Sequence, residues 1–197
     1  MIKKTGQTEI APMNIQKARI VLVGDSSLIV HAWNSKAKQE ILDKQMKKAK
    51  QAKEAKDPEQ MYQDCFYRTP DGKNAFPAVA FKSAAVDACS HVSDLTKVGA
   101  RGAFHIIGEM IQLEYERVTR REDMVRIGMG TADVRFRPEF INWRVTLEVR
   151  YNTGVISLEQ LATLFNVAGF SIGVGEWRPQ RDGSFGMFHV ESSENLD

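Results

Sequence analysis

Apolar and polar positions alternate most regularly in "INWRVTLEVRYN", residues 141–152. Trp143, Val145, Leu147 and Val149 fall on one side, and Arg144, Thr146, Glu148 and Arg150 on the other. A period of two predicts an antiparallel strand with one buried face. "IQKARIVLVGD", 15–25, reads as a β-branched strand closed by Gly24-Asp25. "AFHIIGEMIQLEY", 103–115, is also strand-like, with Gly108 suggesting a bulge, and "SFGMFHV" closes as a strand.

Other stretches carry helical character. "SKAKQEILDKQMKKAKQAKEAK", 35–56, opens on a serine suited to N-capping and continues in strong helix formers. Ala37, Ile41, Leu42, Met46 and Ala49 make one thin apolar stripe. Asp57-Pro58 ends that helix and begins another, 58–68. "TPDG", 69–72, is a turn in which proline presets φ and glycine accepts a positive one. "FPAVAFKSAAVDACSHV" predicts a helix whose Ala/Val face suits a sheet, and "SLEQLATLFNVAGF" one N-capped by Ser157 and C-capped by Gly169.

Between these, "ERVTRREDMVRIGMGTADVRFRPEF", 116–140, is long, charged and too poor in apolar residues to be core. Without its insertions the chain reads βαββαβ. That is an α+β, ferredoxin-like antiparallel sheet of the RRM type, with helices on one face and the other free to bind. Such a fold serves many functions and selects none.

Length sets one domain: 197 residues, 43% hydrophobic and 26% charged, build one ordinary core. We expect an arm at 1–14 and a single RRM-like domain at 15–197, carrying a helical insertion at 35–92. The net charge of +2 says little, but its distribution says more. Helix 35–56 sets eight lysines against three acids, either a solvated face or a phosphate-steering surface with a steep salt dependence, Lys47 and Lys48 among its cations. Cys65 and Cys89 lack metal-ligand spacing and read as buried thiols of a reducing compartment. No apolar run reaches membrane-spanning length and "MIKKTGQTEIAPM" has no signal-peptide core, so a cytoplasmic protein is expected. No His, Asp, Glu or Cys cluster has ligand spacing and no G-x-S-x-G elbow occurs, so neither a metal nor a cofactor is expected.

The last third holds "GFSIGVGEWRPQRDGSFGMFHV", residues 169–190. A dinucleotide fingerprint would need its glycines between a strand and a helix, and a P-loop would need G-K-[ST]. Here Gly173 and Gly175 follow a helix, and Gly183 and Gly186 precede a strand, so nucleotide binding is excluded. A plain turn built on "RDGS" remains open. The favoured alternative is a binding loop, in which backbone at four glycines approaches a strand that Arg178 and Arg181 grip and Trp177 stacks upon.

"SIGVGEWRPQRDGSFGMF" resembles the glycine-rich loop of the RAMP superfamily of CRISPR-associated RNA-binding proteins, whose nearest counterparts are the backbone subunits of Cascade-type complexes. It departs from that pattern at Ser184 and Met187, where many RAMP loops carry basic residues. The resemblance implies that 116–140 is a β-hairpin thumb, with "GMG" at its tip, laid over a bound strand or the next protomer. A mobile surface loop is the other reading. Arg135 and Arg137 would then contact nucleic acid, and Met124, Val125, Ile127 and Met129 a neighbouring subunit. Some RAMP proteins are endoribonucleases with a histidine near the first helix, which would make His31 the candidate here. The chain as a whole also resembles a group of tailed-bacteriophage proteins through "SSLIVHAW", the lysine-rich helix, "FPAVAFKSAAVDA", "TADVRFRPEF" and "GVGEWRP". Together these imply a non-enzymatic, sequence-tolerant binder of single-stranded DNA or RNA, self-associating into a ring or filament in phage replication or recombination. A RAMP-type ribonuclease and a structural oligomer without nucleic acid are the alternatives.

Overall fold

A computed structural model describes residues 13–33, 35–48, 57–92, 95–128 and 130–196. The chain begins with β1 (Ile15–Gly24), β2 (Leu28–Ile29), α1 (Ser35–Gln45), α2 (Pro58–Gln63), β3 (Tyr67–Arg68) and β4 (Asn74–Pro77). It continues through α3 (Ala78–Ala88), α4 (Lys97–Ala103), β5 (Phe104–Ile106), β6 (Met110–Gln112), β7 (Arg117–Ile127) and β8 (Thr131–Ile141). It ends with β9 (Arg144–Asn152), α5 (Leu158–Ser171) and β10 (Phe188–Leu196).

The largest sheet has the order β10–β1–β9–β5, every pair antiparallel. With α3 and α5 as its helices, this is the ferredoxin-like βαββαβ arrangement the patterning predicts. Register explains why the sheet is two-faced. Ala18, Ile20 and Leu22 lie opposite Val149, Leu147 and Val145, and all six are fully buried under α3 and α5. Lys17, Arg19, Val21 and Val23 pair with Arg150, Glu148, Thr146 and Arg144 on the opposite face. Phe81, Trp143 and Phe188 meet at ring-centroid separations of 6.1–6.4 Å and close the core at the end where β1 stops.

Two smaller sheets flank this unit, β2–β8–β7 and β3–β4–β6. In the first, β7 and β8 form a ribbon of eleven paired positions, turned by Gly128 and Gly130 at positive φ. The 116–140 segment is therefore an ordered hairpin through β7 and β8, and not a loose surface loop.

Several expectations need correction. The lysine-rich helix ends at Gln45: Lys47 takes a left-handed conformation (φ 57°) and the Lys48 amide donates back to the Asp43 carbonyl, a Schellman-type stop made without glycine. The expected helical residues 49–56, like the arm up to residue 12, lie outside the described residues. The helix expected at 58–68 is one short turn capped by Asp57, after which Tyr67 and Arg68 enter the β3–β4 hairpin across the predicted 69–72 turn. The 35–92 segment thus carries β3 and β4 beside its helices, and its last helix, α3, belongs to the ferredoxin-like core.

Residues 103–115 are two strands in different sheets, β5 on β9 and β6 on β4, and Gly108 (φ 91°) makes the switch between them where a bulge was expected. Helix α4 was not apparent in the pattern; its seven residues "KVGARGA" include two glycines that depress helix propensity, and the Thr96 cap decides it. In α5 the Ser157–Gln160 capping box forms as predicted. Gly169 is not the C-cap. It lies inside the helix, where a Cβ would stand 1.7 Å from the Phe188 carbonyl oxygen, so its absence lets α5 settle directly on β10.

Gly169→Ala tests that contact, because propensity and packing oppose one another. Alanine gains about 1 kcal/mol as a helix former, but the new methyl must push the helix off strand backbone, at about 1–3 kcal/mol or more. We expect a net loss of stability in urea unfolding. A net gain would mean that α5 does not sit this close.

Candidate nucleic-acid interface

Face alternation along the hairpin ribbon sorts its charges. Arg121, Asp123, Arg135, Arg137 and Glu139 share one face, which turns toward the glycine-rich loop, while β2 pairs with β8 at the ribbon's edge. Asp123 and Arg137 are 7% and 6% exposed, and their ion pair closes at 3.1 Å. Arg121 donates to the other Asp123 oxygen at 2.7 Å, lies 3.6 Å from Glu139, and caps the ring of Phe185 at 4.7 Å. Arg137 also reaches Glu176 at 3.7 Å and the Nδ1 atom of His31 at 3.4 Å. One guanidinium therefore ties three chain segments together: the ribbon, the loop, and the stretch after β2.

The titration behaviour of this cluster follows from its enclosure. Burial alone would raise the Asp123 carboxyl, but hydrogen bonds from Arg121 and Arg137 outweigh it and hold the pKa below the ordinary range. His31 is lowered, first by burial and then by the Arg137 charge, so its imidazole is neutral and accepts from Arg137 at Nδ1. Burial pushes the Cys65 thiol up to about 11; its Sγ donates to the Phe136 carbonyl, and both cysteines are buried and free.

Residues 173–187 wrap this cluster closely. Gly173 (φ 66°) ends α5 in the role expected of Gly169, its amide returning to the Ala168 carbonyl. The amides of Val174, Glu176, Phe185 and Gly186 donate to the carbonyls of Gly186, Ile29, Trp177 and Ser27. A Cβ on Gly183 would lie 1.8 Å from the Trp177 oxygen, and one on Gly186 1.8 Å from the Val174 oxygen. Gly175 approaches the Ile29 carbonyl in the same way. The glycines were expected to open backbone toward a ligand. Here they let the loop fold back on itself and on β2, and the amides of Gly173, Gly183 and Gly186 are already used.

The predicted contact residues separate accordingly. Trp177 is 41% exposed and held at φ 54°, a left-handed conformation seldom taken by a non-glycine residue. Arg181 is exposed, with no side-chain partner among the described residues. Arg178 is engaged, donating to the Gly175 carbonyl and to Gln180. Arg135 is part-buried against Asp133 at 3.0 Å. Arg137, expected at the surface, is enclosed and organises the site from within. The side chain of Lys48 is held locally by Asp43 at 2.9 Å, and neither it nor Lys47 joins the bonds of this cluster.

Met124 and Val125 fall on opposite faces of the ribbon, so the apolar tip expected from residues 124–129 is divided by the alternation itself. Met124 (73% exposed) shares its face with Val134 (46% exposed) instead. The side chain of Ile127 and all of Met129 lie outside the described residues.

The patterning did not point to Trp33, which is 58% exposed two residues past His31. An isolated tryptophan after an apolar run carries no periodic signal. Nor is the free sheet face an aromatic platform: among its described residues are Lys17, Arg19, Glu148, Arg150 and His105, with no Phe, Tyr or Trp. Much of its charge is matched, as in Arg19–Glu194 and Arg144–Glu191. Among the described residues no group of three His, Cys, Asp or Glu is placed to hold a metal ion, and no helix is long and apolar enough to cross a membrane.

No protein-family profile and no curated protein matches the chain. Solved structures do. A chain from the type III-B Cmr-beta complex bound to cognate target RNA has a TM-score of 0.60 at 8% identity, over 93% of this protein. This protein spans 61% of that chain's length. Cmr6 from Pyrococcus furiosus matches at a TM-score of 0.44 and 10% identity, covering 91% of this chain and 100% of its own. At such identity the likeness is one of fold alone.

The cluster makes stability depend on acid in a defined order. A lowered folded-state pKa means that the unfolded chain takes up its proton first. The His31 contribution is thus full above the ordinary histidine value of 6.5 and declines as pH falls below it. Asp123 adds a second decline below the ordinary aspartate value of 3.8. His31→Asn should abolish the first step and keep the second in melting curves taken from pH 8 to 3. An unchanged first step would place its origin elsewhere.

Proposed function

We propose that this protein is a non-enzymatic, sequence-tolerant binder of single-stranded nucleic acid, with the strand seated where the glycine-rich loop meets the base of the hairpin. The observation that carries this reading is the pair Trp177 and Arg181: an exposed indole and an unpartnered guanidinium on a loop clamped against the hairpin of a RAMP-like fold. Stacking on a ring tolerates any base, and a guanidinium grips phosphate without reading sequence. The RNA-bound Cmr-beta complex supports the same reading by analogy of fold. His31 is committed to Arg137 and held neutral, which supports a positioning role over an acid–base one.

Side-by-side assembly along the strand extends the proposal. Met124 and Val134 give the ribbon an apolar patch that a second copy would cover, with the hairpin acting as the thumb. Phage replication or recombination is the setting suggested by the near full-length resemblance.

Electrophoretic shifts with single-stranded DNA, duplex DNA and RNA, followed by a check of RNA integrity, test the function. With most site arginines already paired, two or three phosphates are neutralised. Raising salt from about 50 to 200 mM should therefore cost roughly ten-fold in affinity, by the single-strand slope. Arg181→Ala should weaken binding and leave the melting temperature unchanged. No shift with any polymer would end the proposal, and His31-dependent RNA cleavage would replace it with the ribonuclease.

For assembly, Met124→Ser with Val134→Ser should leave a folded protein that binds without cooperativity, measured by light scattering with and without oligonucleotide. Unchanged assembly would show that the patch is not the contact.

A further inference from the structure

Three tryptophans occur in the chain, and they divide sharply. Trp143 is fully buried in the core, with its indole N–H donating to the Ser26 carbonyl. Trp33 and Trp177 are the two most exposed aromatic side chains next to the Arg137 cluster, and both are joined to it through the backbone. Trp33 lies two residues past His31, and Trp177 directly follows Glu176; His31 and Glu176 are both contacts of the Arg137 guanidinium. The Glu176 amide donates to the Ile29 carbonyl at 2.9 Å, which fixes the two segments side by side. An exposed indole offers a flat ring face on which a base of any identity can stack.

Charge excludes the simplest alternative, that phosphate contacts alone hold a strand here. Arg121, Arg135, Arg137, Arg178 and Arg181 are set against Asp123, Asp133, Glu139, Glu176 and Asp182, and four of these five arginines already have partners. A surface so nearly neutral attracts a polyanion weakly. The two indoles and Arg181 are what remains to supply affinity. The free sheet face carries Lys17 and Arg150 side by side but no Phe, Tyr or Trp among its described residues, so it is not the stacking surface.

We infer that Trp33 is a second base-stacking residue, and that the bases of a bound strand lie on Trp33 and Trp177, across the base of the hairpin and not over the open sheet. This rests on the proposed function and names its contact surface. Arg137, which touches a sequence neighbour of each indole, is a positioning residue. Its contacts with His31 and Glu176 link the two segments that carry the rings, and its own charge is set against Asp123 and Glu176.

The test uses the full chain and two probes of equal length: an unstructured oligothymidylate, with an oligouridylate beside it, and the same backbone lacking bases. Trp33→Leu should weaken binding of the base-bearing strands by about five- to a hundred-fold, the span associated with one stacked base. Trp33→Phe should restore most of it, and binding of the base-free strand should not change. In Trp177→Leu, the remaining exposed emitter is Trp33, and its fluorescence should be quenched as the base-bearing strand is added. If wild type binds these strands while Trp33→Leu binds equally well and no quenching occurs, the inference fails and the proposed function stands. If wild type binds none of the probes, both fail. A blue shift of Trp33 emission with protein concentration alone would show the ring covered by a second copy and overturn the inference.

Discussion

The Asp123–Arg137 ion pair is the contact on which the candidate site depends. Two charges withdrawn from water are costly unless each is hydrogen-bonded, and here no buried side-chain nitrogen or oxygen among the described residues lacks a partner. Asp123 accepts from Arg121 and Arg137 on its two oxygens, while Arg137 also donates to His31 and forms a longer ion pair with Glu176. Removing either member would strand the other in an enclosed setting, a loss of about 3–5 kcal/mol. A hydrophobic pair would stabilise as well, but it would not bind three separate segments in one geometry. The pair thus acts chiefly to specify how the hairpin, the loop and the stretch after β2 meet.

That arrangement decides what the surface can do. Guanidinium groups that look available in a sequence are consumed in building the site, so little net charge is left to draw in phosphate. The glycines are consumed too, in close approaches of the loop to β2 and to itself. What the scaffold presents outward is Trp33, Trp177 and Arg181, on segments linked through Arg137 and the Glu176–Ile29 bond. Rigid presentation of rings is what stacking requires, since no ordering cost is then incurred on binding.

The ferredoxin-like core was legible in the sequence because burial imposes a period. Trp143, Val145, Leu147 and Val149 announce both the strand and its inward face, and Ser157 with Gln160 announces the start of α5. The hairpin at 116–140, with its glycine tip, was expected from its length, its charge and the resemblance, but its two faces were not legible. Its charges hid a buried face, because Asp123 and Arg137 look in sequence like any surface residues and are brought together only by cross-strand register. Gly169 was misplaced for a similar reason, since the strand it touches is nineteen residues away at Phe188. Lys47 ends α1 in a conformation for which glycine is the usual signal. Of the candidate contacts, Trp177 and Arg181 could be read from the loop, whereas Trp33 required the fold.

The central claim is that a strand lies across the hairpin base and the glycine-rich loop. Photo-crosslinking with a 4-thiouridine-bearing oligonucleotide, followed by mass spectrometry of the linked peptides, tests it most directly. The account predicts adducts within residues 29–33, 133–137 and 175–185. Adducts concentrated on the open sheet face, at Lys17, Arg19 or Arg150, would contradict it.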